Sequence, residues 1–242
     1  MGELIAIVSG KGGTGKTSLC AGIGQALAED NLRVLCIDCD VGMRNLDIAL
    51  GISQLGALSF QEAVEYGLDK ATQHPDFSNL WFLTAPMNCS ADAVDTAGFG
   101  KLLEQAREKY DYILMDAPAG IEAGFRLAAC HADRIVVVTG SDPASVRDAA
   151  RAGQLLQGMD KQNVRIIVNR IDPKTVKAMR LTVDDIMDRT GLPLLGIVPE
   201  ASEVVLAAAF DTPLLKYTKK GAAAACRRIG KRIQGRRVPV SL

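Results

Sequence analysis

The stretch Ile7-Val8-Ser9-Gly10-Lys11-Gly12-Gly13-Thr14-Gly15-Lys16-Thr17-Ser18 follows directly on the first apolar run of the chain. Its spacing from Gly10 to Thr17, GxxxxGK[ST], is that of a phosphate loop, in which glycines let several backbone N–H groups converge on one anion. Leu19, Ile23, Ala26 and Leu27 follow at helical spacing, so the positive end of a helix faces the same point. In such a loop Lys16 reaches the β- and γ-phosphates of a nucleotide, and the Thr17 hydroxyl ligates Mg2+. One free position carries a second cation, Lys11, five residues before Lys16.

A metal shell also needs a carboxylate. The run Tyr110-Asp111-Tyr112-Ile113-Leu114-Met115-Asp116 is an apolar strand ending in an acid, the Walker-B arrangement that holds Mg2+. The Asp116-Ala117-Pro118-Ala119-Gly120 segment behind it has the composition of a γ-phosphate switch. Asp38 and Asp40 end another strand-like run, and their alternation puts them on one side, where one can orient an attacking water. Asp38 also suits a plain strand-end turn.

These residues must be held by elements that the chain announces. Candidate strands are 4–8, 33–37, 80–84, 112–115, 134–139, 164–168 and 194–198, with helices filling most of the gaps. Ser59-Phe60-Gln61-Glu62 and Thr182-Val183-Asp184-Asp185 have capping-box spacing, and Asp142-Pro143 is an N-cap followed by proline at the first helical position. The pattern predicts one three-layer α/β domain over 1–242, with a mainly parallel sheet and ligands beyond the carboxyl ends of its strands.

Bulk properties are those of an ordinary globular protein: 48% hydrophobic and 23% charged residues. No apolar run approaches the ~18 residues of a membrane span. Leu4–Val8 is too short for a signal peptide, so the expected location is the cytosol. Met1-Gly2 fails the myristoylation pattern because position 6 is Ala. Of six cysteines (20, 36, 39, 89, 130 and 226), Cys36 and Cys39 spell CxxC within a strand, where residues three apart lie ~10 Å apart on opposite faces. The cysteines are therefore read as small buried hydrophobes. His74 and His131 are isolated and join no ligand cluster.

The loop with Lys11, the run Asp38-Cys39-Asp40-Val41-Gly42-Met43-Arg44-Asn45-Leu46-Asp47, the run Asp116-Ala117-Pro118-Ala119-Gly120-Ile121-Glu122 and Ser145-Val146-Arg147-Asp148 together resemble the deviant Walker-A (ParA/MinD) family of P-loop ATPases. RNLD and PAGIE favour its MinD branch, and the likeness runs from the first strand through Pro199-Glu200 and the following helix. The resemblance implies ATP and Mg2+ as cofactors, slow ATP hydrolysis, and an ATP-bound homodimer in which Lys11 reaches the partner's phosphates. Two facing triphosphates repel, and a lysine from each side neutralises them. It further implies catalytic roles for Lys11, Lys16 and Asp40, metal binding through Thr17, Asp38 and Asp116, and contact with the adenine by Asn169, Pro199 and Glu200. Division-site placement through a MinC-like division inhibitor, with an ATPase-activating partner, is the implied function. A ParA-like DNA-segregation or cargo-positioning ATPase and an ATP-dependent metabolic ligase are the alternatives. Asn169 also suits a turn, Arg44 a surface pair with Asp47, and Lys11 a solvated surface.

The C-terminal part departs from the MinD pattern. Residues 212–242 hold nine of the 28 basic side chains and none of the 28 acidic ones. MinD proteins end in a helix bearing bulky apolar residues. Here Ala222, Cys226, Ile229 and Ile233 form a narrow stripe ringed by cations, with Gly230 and Gly235 weakening the helix. The simplest expectation is a last core helix. Peripheral contact with the anionic inner face of the cell membrane, and contact with DNA, are the weaker alternatives.

Overall fold

The computed structural model describes residues 1–87 and 94–241. Cys89 lies outside the described residues; Cys20, Cys36, Cys39 and Cys226 are buried as expected, but Cys130 is exposed near the end of its helix and is not a core residue. The chain opens with β1 (Glu3–Val8), α1 (Lys16–Glu29) and β2 (Val34–Asp38). Short helices α2 (Leu46–Leu50) and α3 (Phe60–Tyr66), a 3-10 turn (Leu68–Lys70) and β3 (Thr72–Gln73) lead to β4 (Leu80–Leu83). Then come α4 (Thr96–Lys109), β5 (Tyr112–Asp116), α5 (Ala123–His131), β6 (Arg134–Thr139), α6 (Pro143–Gly158) and β7 (Val164–Ile171). The chain continues through α7 (Pro173–Ala178), α8 (Val183–Thr190), β8 (Leu194–Pro199), α9 (Ser202–Ala209), α10 (Leu214–Tyr217) and α11 (Gly221–Ile233).

The strands form one sheet in the order β3-β4-β2-β5-β1-β6-β7-β8. Every pairing is parallel except that of the edge strand β3 with β4. Central strands such as Leu4-Ile5-Ala6-Ile7-Val8 are apolar on both faces because helices cover both. On one side Phe60, Phe99, Phe125 and Val146 bring α3 to α6 against the sheet; on the other, Leu19, Ile23, Leu46, Leu214 and Ile229 bring α1, α2, α10 and α11. Cys36 belongs to the second layer and Cys39 to the first, so the CxxC pair cannot meet.

The three anticipated helix starts are present. Ser59 and Thr182 form capping boxes with Glu62 and Asp185, and the Asp142 carboxylate accepts from the Ser145 N–H. All seven anticipated strands exist. β3 escapes a pattern search because two polar residues show no period, and β7 runs three residues past Val168 through an irregular register. Arg44 pairs with the buried Asp47 at 2.7 Å, the pairing expected of a structural arginine.

The cationic C-terminal segment packs as a core element. Ala222, Cys226, Ile229 and Ile233 are all buried, with Ala223 and Ala225 beside them. Gly230 has a different role from a helix weakener: a Cβ there would lie 3.3 Å from Ala26 Cβ, so the missing side chain lets α11 approach α1 closely. Outward-facing cations are tied to the acidic body, with Arg227 on Glu29 at 2.7 Å and Arg236 on Asp30 at 3.5 Å.

Ile229 presses on β8 at Gly196, where its Cγ1 would lie 2.5 Å from an added Cβ. Ile229→Ala is expected to destabilise the chain by about 3 kcal/mol in urea unfolding. A variant within a few tenths of wild type would show that α11 is not part of the core.

Candidate nucleotide site

The site lies at the carboxyl ends of β1, β2 and β5. Residues 9–15 turn sharply there, with Gly13 and Gly15 at φ 77° and 87°. Gly15 is required for a second reason, since a Cβ would fall 2.4 Å from Asn169 Nδ2. Helix α1 starts on Gly15 with no side-chain cap, which leaves its first N–H groups free to meet an anion. Ser9 Oγ donates to the Lys11 carbonyl at 2.7 Å and stiffens the loop's entry.

Lys16 is buried inside the loop, and burial holds its ammonium below its ordinary pKa while Asp116 and Asp40 pull it back up. Asp38 and Asp116 are register partners on β2 and β5, both buried. Two carboxylates sharing a dry site disfavour joint ionisation. Burial, aided by Asp38, pushes Asp116 up to about 8, opposed by a hydrogen bond with Thr17 and by the charge of Lys16. Burial also raises Asp38 to about 6, although its oxygens accept from the backbone N–H groups of Asp40, Asn45 and Leu46 at 2.9, 3.2 and 3.2 Å. Asp38 thereby anchors the loop from β2 to α2. Asp40 is half-buried, and its carboxyl is raised by burial and lowered by Lys16.

The arrangement fits Mg2+ bound together with phosphates. Among the described residues, Asp116 Oδ1 and Thr14 Oγ1 are buried with no hydrogen-bond partner. Among the described residues no group of three or more His, Cys, Asp or Glu could cage a metal by itself. Mg2+ takes one or two carboxylates, which the buried Asp116 and Asp38 could supply, and completes its shell with water and substrate phosphate.

A cavity of about 340 Å³ opens beside the loop, lined by Lys16, Thr17, Asn169, Pro199, Glu200 and the apolar Val198 and Leu214 among others. Asn169 is buried and donates from Nδ2 to the Thr14 carbonyl at 2.8 Å. It sits inside β7 rather than in a turn. Arg170, which the motifs did not single out, adopts φ 57°, pairs with Glu200 at 2.7 Å and reaches the Gly13 carbonyl at 3.3 Å. Its one sequence signal is adjacency to Asn169. Lys11 lies on the other side of the loop, half-exposed and 3.7 Å from Asp142.

Residues 5–214 match the profile of the CobQ/CobB/MinD/ParA nucleotide binding domain. The chain belongs to this MinD/ParA family. It is 37% identical to the septum site-determining protein MinD of Synechocystis over 99% of this chain and 92% of that protein. Among solved structures of the MinD/ParA family, it resembles the MinC:MinD cell division protein complex of Aquifex aeolicus, with a TM-score of 0.91 and 36% identity over 99% of this chain and 98% of that one. It also resembles MinD of Pyrococcus horikoshii complexed with Mg-ADP, with a TM-score of 0.80 and 26% identity over 96% of each chain.

With Asp116 as a Mg2+ ligand, its raised carboxyl would make binding proton-linked. Asp116 holds its proton more tightly in the fold, at about 8, than at its ordinary value of 3.8. Its contribution to the stability of the fold is therefore complete below about pH 4 and is lost as pH rises through 8. Mg2+ requires the ionised carboxylate. Binding of Mg-ADP at pH 7 is expected to release close to one proton, read by calorimetry in buffers of different ionisation enthalpy, and the release should vanish above about pH 9. Binding at pH 7 without proton release would contradict the protonated Asp116.

Proposed function

We propose that this chain is a Mg2+- and ATP-dependent dimerisation switch acting in placement of the division site. Slow hydrolysis of ATP to ADP and phosphate resets it. The observation that carries this reading is the division of labour between the two lysines. Lys16 is buried among its own chain's carboxylates, whereas Lys11 is 46% exposed on the outer side of the same loop. A cation so placed serves a second triphosphate better than its own.

In this reading Lys16 and the N–H groups of residues 12–18 hold the phosphates, and Gly10 and Lys11 open the loop. Thr17 and Asp116 bind Mg2+, which neutralises phosphate charge when bound, and Asp38 supports the metal's water shell while fixing the loop to α2. Asp40 orients the attacking water. Asn169 keeps Nδ2 on Thr14 and offers Oδ1 to the adenine amino group, while Pro199 and Glu200 close the base pocket.

The partner is a MinC-like division inhibitor, a reading supported by the likeness to the Aquifex MinC:MinD structure. An activating partner would speed hydrolysis by completing the site. Among the described residues no helix is long and apolar enough to cross a membrane. With the α11 stripe buried, contact of this segment with an anionic bilayer runs through exposed cations rather than through that stripe.

Sedimentation velocity with Mg-ATP and Mg-ADP tests the switch, and added liposomes or duplex DNA separate the division reading from a DNA-positioning one. Lys11→Ala is expected to keep nucleotide affinity within about tenfold, ~1.4 kcal/mol, yet stay monomeric in ATP. ATP-driven dimers of this variant would remove Lys11 from the interface. Asp40→Ala is expected to dimerise and then persist as a dimer, since water orientation acts in the transition state. Phosphate release at the wild-type rate would exclude Asp40 from the mechanism.

A further inference from the structure

At the opposite end of the sheet from the nucleotide loop, the first residues of β6, β7 and β8 and the segment after α11 enclose a second concavity of about 780 Å³. Five arginines line it, Arg134, Arg165, Arg232, Arg236 and Arg237, with Asn163 beside them and no acidic side chain in the lining. The body of the chain, residues 1–211, carries 28 acidic against 19 basic side chains, so this concentration of one sign runs against its surroundings.

Two of the arginines build the walls. Arg232 donates to the Leu195 carbonyl at 2.8 Å and twice to the Val238 carbonyl, at 3.0 and 2.9 Å, which folds residues 235–239 over the cavity. Arg134 donates to the Ile233 carbonyl at 2.9 Å and pairs with Glu3 at 2.8 Å, while its Nε is buried with no partner among the described residues. Burial holds the Arg232 guanidinium below its ordinary pKa, and Arg228 adds to that, as expected where positive charge is crowded and poorly hydrated. Arg236 leans on Asp30 at 3.5 Å. The remaining two, Arg165 and Arg237, are exposed and have no ion pair or hydrogen bond among the described residues.

We propose that this arginine-lined cavity is a binding site for a phosphate-ester anion, separate from the nucleotide site. The guanidinium fork matches phosphate oxygens in pairs, and the walls are already fixed by the backbone bonds of Arg134 and Arg232, so little ordering is needed on binding. The free guanidinium groups of Arg165 and Arg237 are the principal anchors. Nearby carboxylates, Glu3 and Asp30, are each engaged by one arginine, which leaves the cavity net cationic. The phosphate can come from a soluble molecule or from a lipid headgroup, and the site does not depend on the dimerisation reading.

Calorimetric titration of pyrophosphate into the full chain, saturated with ADP at low free Mg2+ so that the phosphate loop is filled, tests this directly. The comparison is with the Arg165→Gln/Arg237→Gln double variant, whose altered side chains are exposed and unpaired. Wild type is expected to bind and the double variant to lose at least ~tenfold in affinity, with binding weakening as salt rises. If phosphatidylglycerol vesicles also bind wild type, compete with pyrophosphate and lose the double variant, the source is a headgroup. If vesicle binding ignores the substitutions while pyrophosphate binding feels them, the source is soluble. Absence of binding with the loop filled, or equal pyrophosphate affinity in the two proteins, overturns the site.

Discussion

The structure depends on a cluster of charges that the fold alone does not neutralise. Asp38 and Asp116 sit side by side at the ends of two neighbouring strands, both buried, with Asp40 beyond them and one buried lysine in reach. Removing an ionised carboxylate from water without a partner costs several kcal/mol, which is why Asp116 keeps its proton to about 8. A divalent cation held there together with a nucleotide would relieve that cost.

The surrounding elements follow from this constraint. Six of the eight strands lie inside the sheet, and the innermost are apolar on both faces because helices cover both, which gives the buried carboxyls a rigid floor. The loop between Asp38 and α2 is tied to the same carboxylate through the N–H groups of Asp40, Asn45 and Leu46, so a change of charge at Asp38 reaches the region of Arg44 and Asn45 directly. Helix α11 packs on α1, whose first turn follows the phosphate loop, and its Ala222 and Cys226 line the cavity beside that loop. The C-terminal cations thus rest on the helix that carries the nucleotide site.

Much of this was legible in the residues themselves. Glycine spacing, Lys16, Thr17 and the strand-end acids name the chemistry, because phosphate binding demands those types at that spacing. Apolar runs with capping residues between them name the sheet, and Cys36 and Cys39 were correctly read as pointing apart. What stayed hidden depends on three dimensions. Arg170 acquires its place from a positive φ at an irregular stretch of β7, and the bond from Asn169, already an adenine candidate, to the Thr14 carbonyl joins residues 155 positions apart. Gly230 reads as a helix weakener until Ala26 is found beneath it. The arginine cavity gathers side chains from positions 134 to 237, a spacing that no local pattern encodes.

The central claim is that Asp116 is the buried carboxylate that couples metal to nucleotide. The affinity for ATP, measured with and without Mg2+ in wild type and in Asp116→Asn, tests it most directly. The account predicts that Mg2+ tightens ATP binding to wild type by well over ~tenfold, and that the variant, which removes the charge but keeps the shape, loses that enhancement while still binding ATP without the metal. An enhancement of equal size in the two proteins would contradict it.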